Sequence, residues 1–165
     1  MTRLSRRTAL FGLAALPLLS ACGAAGPGGS AEVSRKVAFA TPLHANETPE
    51  LRLLINKYAR LYDVPVSLIH RVVIRESRHQ PGARNGPYYG LMQILPHTAR
   101  TMGYRGPAEG LLDADTNLRY AVKYLKGAWM VSDGNPDRAV MWYAKGYYYE
   151  AKRRGLLVET GLRSA

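Results

Sequence analysis

Apolar positions recur at helical spacing along most of the chain after residue 48. Leu51, Leu54, Ile55, Tyr58 and Tyr62 mark one amphipathic stripe. Thr48-Pro49-Glu50 precedes it with a cap, a first-turn proline and an acid at the positive end of the helix dipole. Asp63-Val64-Pro65 stops this helix and opens a second, whose stripe is Leu68, Ile69, Val72 and Val73. From Arg78 to Leu95 no period is sustained, and Gly82, Gly86, Pro87 and Gly90 predict a long structured loop. Pro96 opens a short helix ending at Gly103. Asp113 or Asp115 caps a long helix with Leu118, Ala121, Val122, Leu125, Ala128 and Trp129 inward. Asp133-Gly134-Asn135-Pro136 is a turn and a new helix start, and the rest reads as helical and basic. No strand longer than a few residues and no internal repeat is evident. The expected fold class is all-α, a single small domain with an irregular loop.

The first residues have a different pattern. Arg3, Arg6 and Arg7 precede an apolar run from about Ala9 to Leu19, then small residues. The run is too short to span a bilayer, which takes about 20 apolar residues, and it has the layout of an export signal. Leu19-Ser20-Ala21-Cys22 resembles a bacterial lipobox, in which the cysteine is lipidated and becomes the mature N-terminus. Ser5-Arg6-Arg7 also resembles a twin-arginine signal. Residues 1–21 are thus expected to be a signal peptide, and residues 22–47 a lipidated Cys22 with a Gly-rich tether. The folded domain is expected at 48–165. Gly23 after the cysteine, rather than Asp, points to a periplasmic protein anchored to the outer membrane of a Gram-negative bacterium.

Composition then changes meaning. The chain of 165 residues carries 23 Lys+Arg against 12 Asp+Glu, a formal charge of +11. Three arginines and no acid leave with residues 1–21, so the mature charge is +8. The single cysteine is spent as an anchor, which leaves no disulfide framework and no cysteine-based zinc site. His44, His70, His79 and His97 have no metal-ligand spacing, so no metal or cofactor is expected. A cationic surface with interleaved tyrosines could suit nucleic acid, but export and the lack of a reading motif argue against it. An acidic wall polymer and anionic lipid are the better partners.

One residue breaks the apolar pattern. Position 76 is i+4 from Val72 and i+3 from Val73, so the next core-facing place on the second helix holds a glutamate. Burial and the negative helix end both favour its protonated form, which a general acid requires. The structural alternative is a Glu76 paired with Arg75 or Arg78 at a core edge.

The segment Val72-Val73-Ile74-Arg75-Glu76-Ser77 is followed by Gly90-Leu91-Met92-Gln93-Ile94 and Pro96-His97-Thr98-Ala99. Asn117 at a helix start and Tyr143-Ala144-Lys145-Gly146 complete the order. Over about residues 48–150 this resembles the catalytic domain of the soluble lytic transglycosylases, which are related to goose-type lysozymes. The resemblance implies a lysozyme-like fold and peptidoglycan glycan strands as the substrate. It implies cleavage between N-acetylmuramic acid and N-acetylglucosamine with closure of a 1,6-anhydro ring and no water consumed. Glu76 would be the catalytic acid and then the base. Gln93 would bind sugar, Met92 would line the groove, and Tyr143 would reach the catalytic carboxyl. Ser77 divides between a sugar contact and a helix-end hydrogen bond, and Asn117 between substrate and a cap. The enzyme would act as a monomer without a cofactor.

The sequence departs from the family pattern twice. Tyr-Asn-Ala-Gly is replaced by Tyr143-Ala144-Lys145-Gly146, which removes an amide and adds a cation. The stretch before Gly90 is one residue short, and Asn85 stands as a replacement polar partner for Glu76, with Tyr88 and Tyr89 as stacking surface or plain packing. A hydrolytic muramidase and a catalytically weak peptidoglycan-binding lipoprotein are the alternative readings.

Overall fold

A computed structural model describes residues 41–164. The expected signal peptide, the expected lipidation site Cys22 and the expected tether as far as residue 40 lie outside the described residues. Among the described residues six helices follow in order: α1 (Pro49–Tyr62), α2 (Val66–Glu76), α3 (Pro96–Thr101), α4 (Ala114–Met130), α5 (Pro136–Lys145) and α6 (Tyr148–Arg153). A two-stranded antiparallel hairpin, β1 (Arg84–Asn85) and β2 (Tyr88–Tyr89), lies between α2 and α3, and a 3-10 turn (Ala108–Leu112) precedes α4. The fold is all-α and lysozyme-like. No helix of the described residues is long and apolar enough to cross a membrane.

Local chemistry sets the helix ends. Thr48 Oγ1 accepts from Leu51 N at 3.2 Å, Asp113 from Thr116 N at 2.8 Å and Asn135 from Arg138 N at 3.0 Å. Each of these satisfies a first-turn N–H that has no helical partner. Asp63 closes α1 in the left-handed conformation, with φ of 51°.

The core forms around α4, which packs against α1 on one side and α5 on the other. Leu118, Ala121, Val122, Leu125 and Ala128 of α4 are fully buried, with Ile55 and Tyr58 of α1 and Ile69 and Val73 of α2. Gly127 is needed on α4 because a Cβ there would strike the hydroxyl end of Tyr147. That hydroxyl donates to Tyr124 O at 2.9 Å, so one close approach buries a whole tyrosine over the helix.

Packed structure begins before α1. Glu47 is buried and ion-paired to Arg52, and Asn46 Nδ2 donates to Arg78 O at 3.0 Å. The strap 44–47 is therefore tied to the turn that follows α2. The basic C-terminal stretch is partly neutralised within the fold. Arg154 reaches both Asp133 and Glu150, and Arg153 also holds Glu150.

Candidate active site

The stripe of α2 delivers Glu76 to a groove. Leu68, Ile69, Val72 and Val73 anchor the helix in the core, and Glu76 is its last residue. Its side chain keeps 22 % exposure, enough to meet a ligand and little enough to lose most of its hydration. Burial pushes its carboxyl above the ordinary value, and the nearby Arg75 charge pulls it down. Arg75 Nε stands 3.5 Å from Glu76 Oε1, on a side chain half open to water. Glu76 thus combines an arginine neighbour with a carboxyl raised by burial.

A cavity of about 330 Å³ opens on Glu76, with Asn85, Tyr88, Gln93, Tyr143 and Ala144 in its walls. A second of about 320 Å³ shares Tyr88, Gln93, Tyr143 and Ala144 and extends past Lys145 and Thr98. Together they form a groove of two lobes, each at the lower end of ligand-site size, about 300–1,000 Å³. Among the described lining residues Glu76 is the one carboxylate. The five aspartates stand elsewhere, at helix ends and turns (Asp63, Asp113, Asp115, Asp133 and Asp137).

The hairpin separates the two adjacent tyrosines. Asn85 pairs with Tyr88 and Arg84 with Tyr89. Successive strand residues point to opposite faces, so Tyr88 is 42 % exposed in the groove and Tyr89 is 6 % exposed in the core. Arg84 covers the Tyr89 ring at 4.6 Å. Of the two, Tyr88 supplies the groove's aromatic face. Asn85 sits on the rim beside it.

The Gly-Leu-Met-Gln block is held from behind. Asn117, fully buried on the first turn of α4, accepts from Met92 N at 3.0 Å and donates to Tyr89 O and Leu111 O, each at 2.8 Å. Asp113 takes the capping role, which leaves the Asn117 amide free for this work. Gly90 has φ of +72°, and a Cβ there would enter the Asn117 amide and Leu111 O. Gln93, also left-handed at φ of 47°, donates through Nε2 to Ala83 O at 3.0 Å and Gly90 O at 2.8 Å. Its Oε1 is buried without a partner, so the amide's spare capacity is as an acceptor. The Met92 side chain is wholly inside the core, and its carbonyl is the part that serves the site.

That carbonyl accepts from the Tyr143 hydroxyl at 2.8 Å. The resemblance implies a tyrosine contact to the catalytic carboxyl, and the structure sends the hydroxyl proton to Met92 O instead. Tyr143 still lines the cavity with Glu76, and burial first and the Glu76 charge second push its pKa well above the ordinary value. With its proton committed, the hydroxyl can offer Glu76 only a lone pair, which suits the protonated acid. Ser77 is buried at the end of α2, its Oγ directed to Val73 O at 3.4 Å.

A model of the transglycosylase SLT domain matches residues 53–155, which run from within α1 to just past α6. The chain belongs to the transglycosylase SLT family. No solved structure matches it. Membership gives the SLT domain a lytic-transglycosylase-type action on peptidoglycan.

The folded chain also gathers residues that spacing did not connect. His44, Glu47 and His70 bring ligand atoms within 4.8 Å of one another, and His79 packs beside them. The signal was hidden because 26 residues separate His44 from His70 and only the fold closes the gap.

Proposed function

We propose that this SLT domain is a non-hydrolytic murein lytic transglycosylase in which Glu76 works first as acid and then as base. The observation that carries this is a single raised carboxyl on a groove whose described walls hold no other. Hydrolytic glycosidases ordinarily need a second carboxylate, about 5–9.5 Å away, to act as nucleophile or to activate water. In its absence an internal hydroxyl can take that place. Glu76 gives its proton to the glycosidic oxygen as the C1–O bond breaks, which frees the N-acetylglucosamine 4-hydroxyl. The Glu76 carboxylate then takes the proton of the muramoyl C6 hydroxyl as that oxygen bonds to C1. The proton balance closes on Glu76, and the product is a 1,6-anhydro end.

Asn85, Tyr88 and Gln93 would contact the sugars from the wall of the groove, with Asn117 and Met92 holding the loop behind them. Export, lipidation at Cys22 and a periplasmic face on the outer membrane belong to the same proposal. They rest on the charge, apolar and lipobox pattern of residues 1–22. The enzyme would work as a monomer. The test is Glu76→Gln on purified sacculi. Release of soluble fragments should fall by about 10²–10⁴-fold, the range for losing a general acid, while sacculus binding survives. Near wild-type release by this variant would remove Glu76 from the mechanism.

A further inference from the structure

We propose that His44, Glu47 and His70 form a site for one divalent transition-metal cation of the zinc class, with His79 orienting His70. The site is separate from the groove. It lies under a different cavity, about 580 Å³, whose walls include His44, His70, Arg52 and Ile74 and which shares no lining residue with the lobes around Glu76.

Three observations support it. The first is spacing. His70 Nε2 lies 3.8 Å from Glu47 Oε1. That is too long for a hydrogen bond, which ends near 3.2 Å. It is close to the separation of about 3.3 Å between two ligands of a tetrahedral cation with bonds of about 2.0–2.1 Å. The third donor, on His44, falls within 4.8 Å of both. His44 is exposed on the strap and closes the set by a shift of about 1 Å or more.

The second is the support behind His70. Its other nitrogen, Nδ1, stands 3.1 Å from His79 Nε2. A ligating histidine ordinarily uses its second nitrogen in this way, which fixes the ring and leaves the first nitrogen's lone pair for the metal. The third is the burial of that support. His79 is 1 % exposed and its ring stacks on His44 and tilts against His70, so the ring behind the donor set is fixed by packing.

Arg52 limits the affinity. It donates to both oxygens of Glu47, each at 2.6 Å. A carboxylate oxygen has lone pairs for more than one partner, so Arg52 becomes an outer-shell partner of a ligating Glu47 rather than a replacement for the metal. Its charge opposes a second cation, so micromolar binding is expected, weaker than thiolate sites reach. The consequence is mechanical. His79 is three residues beyond Glu76, and it and Arg78 are successive left-handed residues at the exit of α2. A bound cation would staple the strap to that exit in a domain whose described residues contain no cysteine.

The test is titration of the chelator-stripped full chain with Zn²⁺ by calorimetry, and with Co²⁺ by visible absorption. One equivalent of Zn²⁺ should bind with a micromolar Kd and raise Tm. Co²⁺ should give a band without the thiolate charge transfer that Cys22 would produce. His44→Ala, on an exposed position, should weaken binding at least tenfold, and His97→Ala should leave it unchanged. No saturable binding at millimolar Zn²⁺, or equal binding by His44→Ala and wild type, overturns the site. Neither result bears on glycan cleavage, which is read separately.

Discussion

At the scale of single residues the proposed chemistry turns on the raised pKa of Glu76. Burial raises its pKa and Arg75 restrains the rise. The proposed first step needs the acid form, so activity should fall as pH climbs through that raised pKa. Arg75→Gln removes the restraint. The alkaline limb of kcat/KM is expected to move to higher pH, and the shift should shrink in high salt because Arg75 is half exposed. A limb that moves to lower pH would contradict the assigned electrostatics. The same linkage fixes a stability sign. A folded pKa above the unfolded one means that ionised Glu76 costs stability at neutral pH. Glu76→Gln should therefore melt no lower than wild type while losing cleavage, and calorimetry at pH 7 checks this. The position of Glu76 could be read from Val72 and Val73. The destination of the Tyr143 proton could not, since Met92 O competes for it across 51 residues of chain.

At the scale of elements, one wall of the groove is a loop to which the Asn117 side chain makes three hydrogen bonds, beside those of Gln93 and Tyr143. Asn117→Ala removes the side-chain partner of Met92 N and of Leu111 O in the interior and leaves Tyr89 O with Ile94 N alone. The expected loss is about 2–4 kcal/mol, or a Tm lower by about 8–15 °C for a domain of this size. Cleavage should fall with it as Gln93 and Tyr88 lose their places, and a melting curve like wild type would show that the clamp is not needed. The helices themselves were legible because their signals are local. Thr48, Asp113 and Asn135 cap, and the apolar stripes of α1, α2 and α4 face inward as their periods require. The hairpin was not legible, since strands of two residues give no alternation to count. Which of Tyr88 and Tyr89 faces the groove depends on register, and register is set by the pairing with Arg84 and Asn85.

At the scale of the whole molecule, charge and connectivity dominate. Among the described residues Arg154, Arg153 and Arg52 are tied to acids inside the fold. Cations along the groove, Arg75 and Lys145, remain placed to meet an acidic polymer. Binding of Glu76→Gln to sacculi should weaken steadily with salt, as the screening length drops from about 10 Å at 0.1 M to about 3 Å at 1 M. Salt-independent retention would assign binding to sugar contacts alone. The packing of residues 44–47 and the histidine cluster were hidden from the sequence for one reason: both depend on a strap folding back onto α2, and no local pattern encodes that contact.

The most direct test of the central claim is the mass of the cleavage products. Purified sacculi digested by the wild-type protein should yield muramoyl ends lighter by one water than hydrolysis gives, because the C6 oxygen has closed on C1. Reducing muramoyl ends of full hydrated mass would contradict the account and make the enzyme a hydrolase.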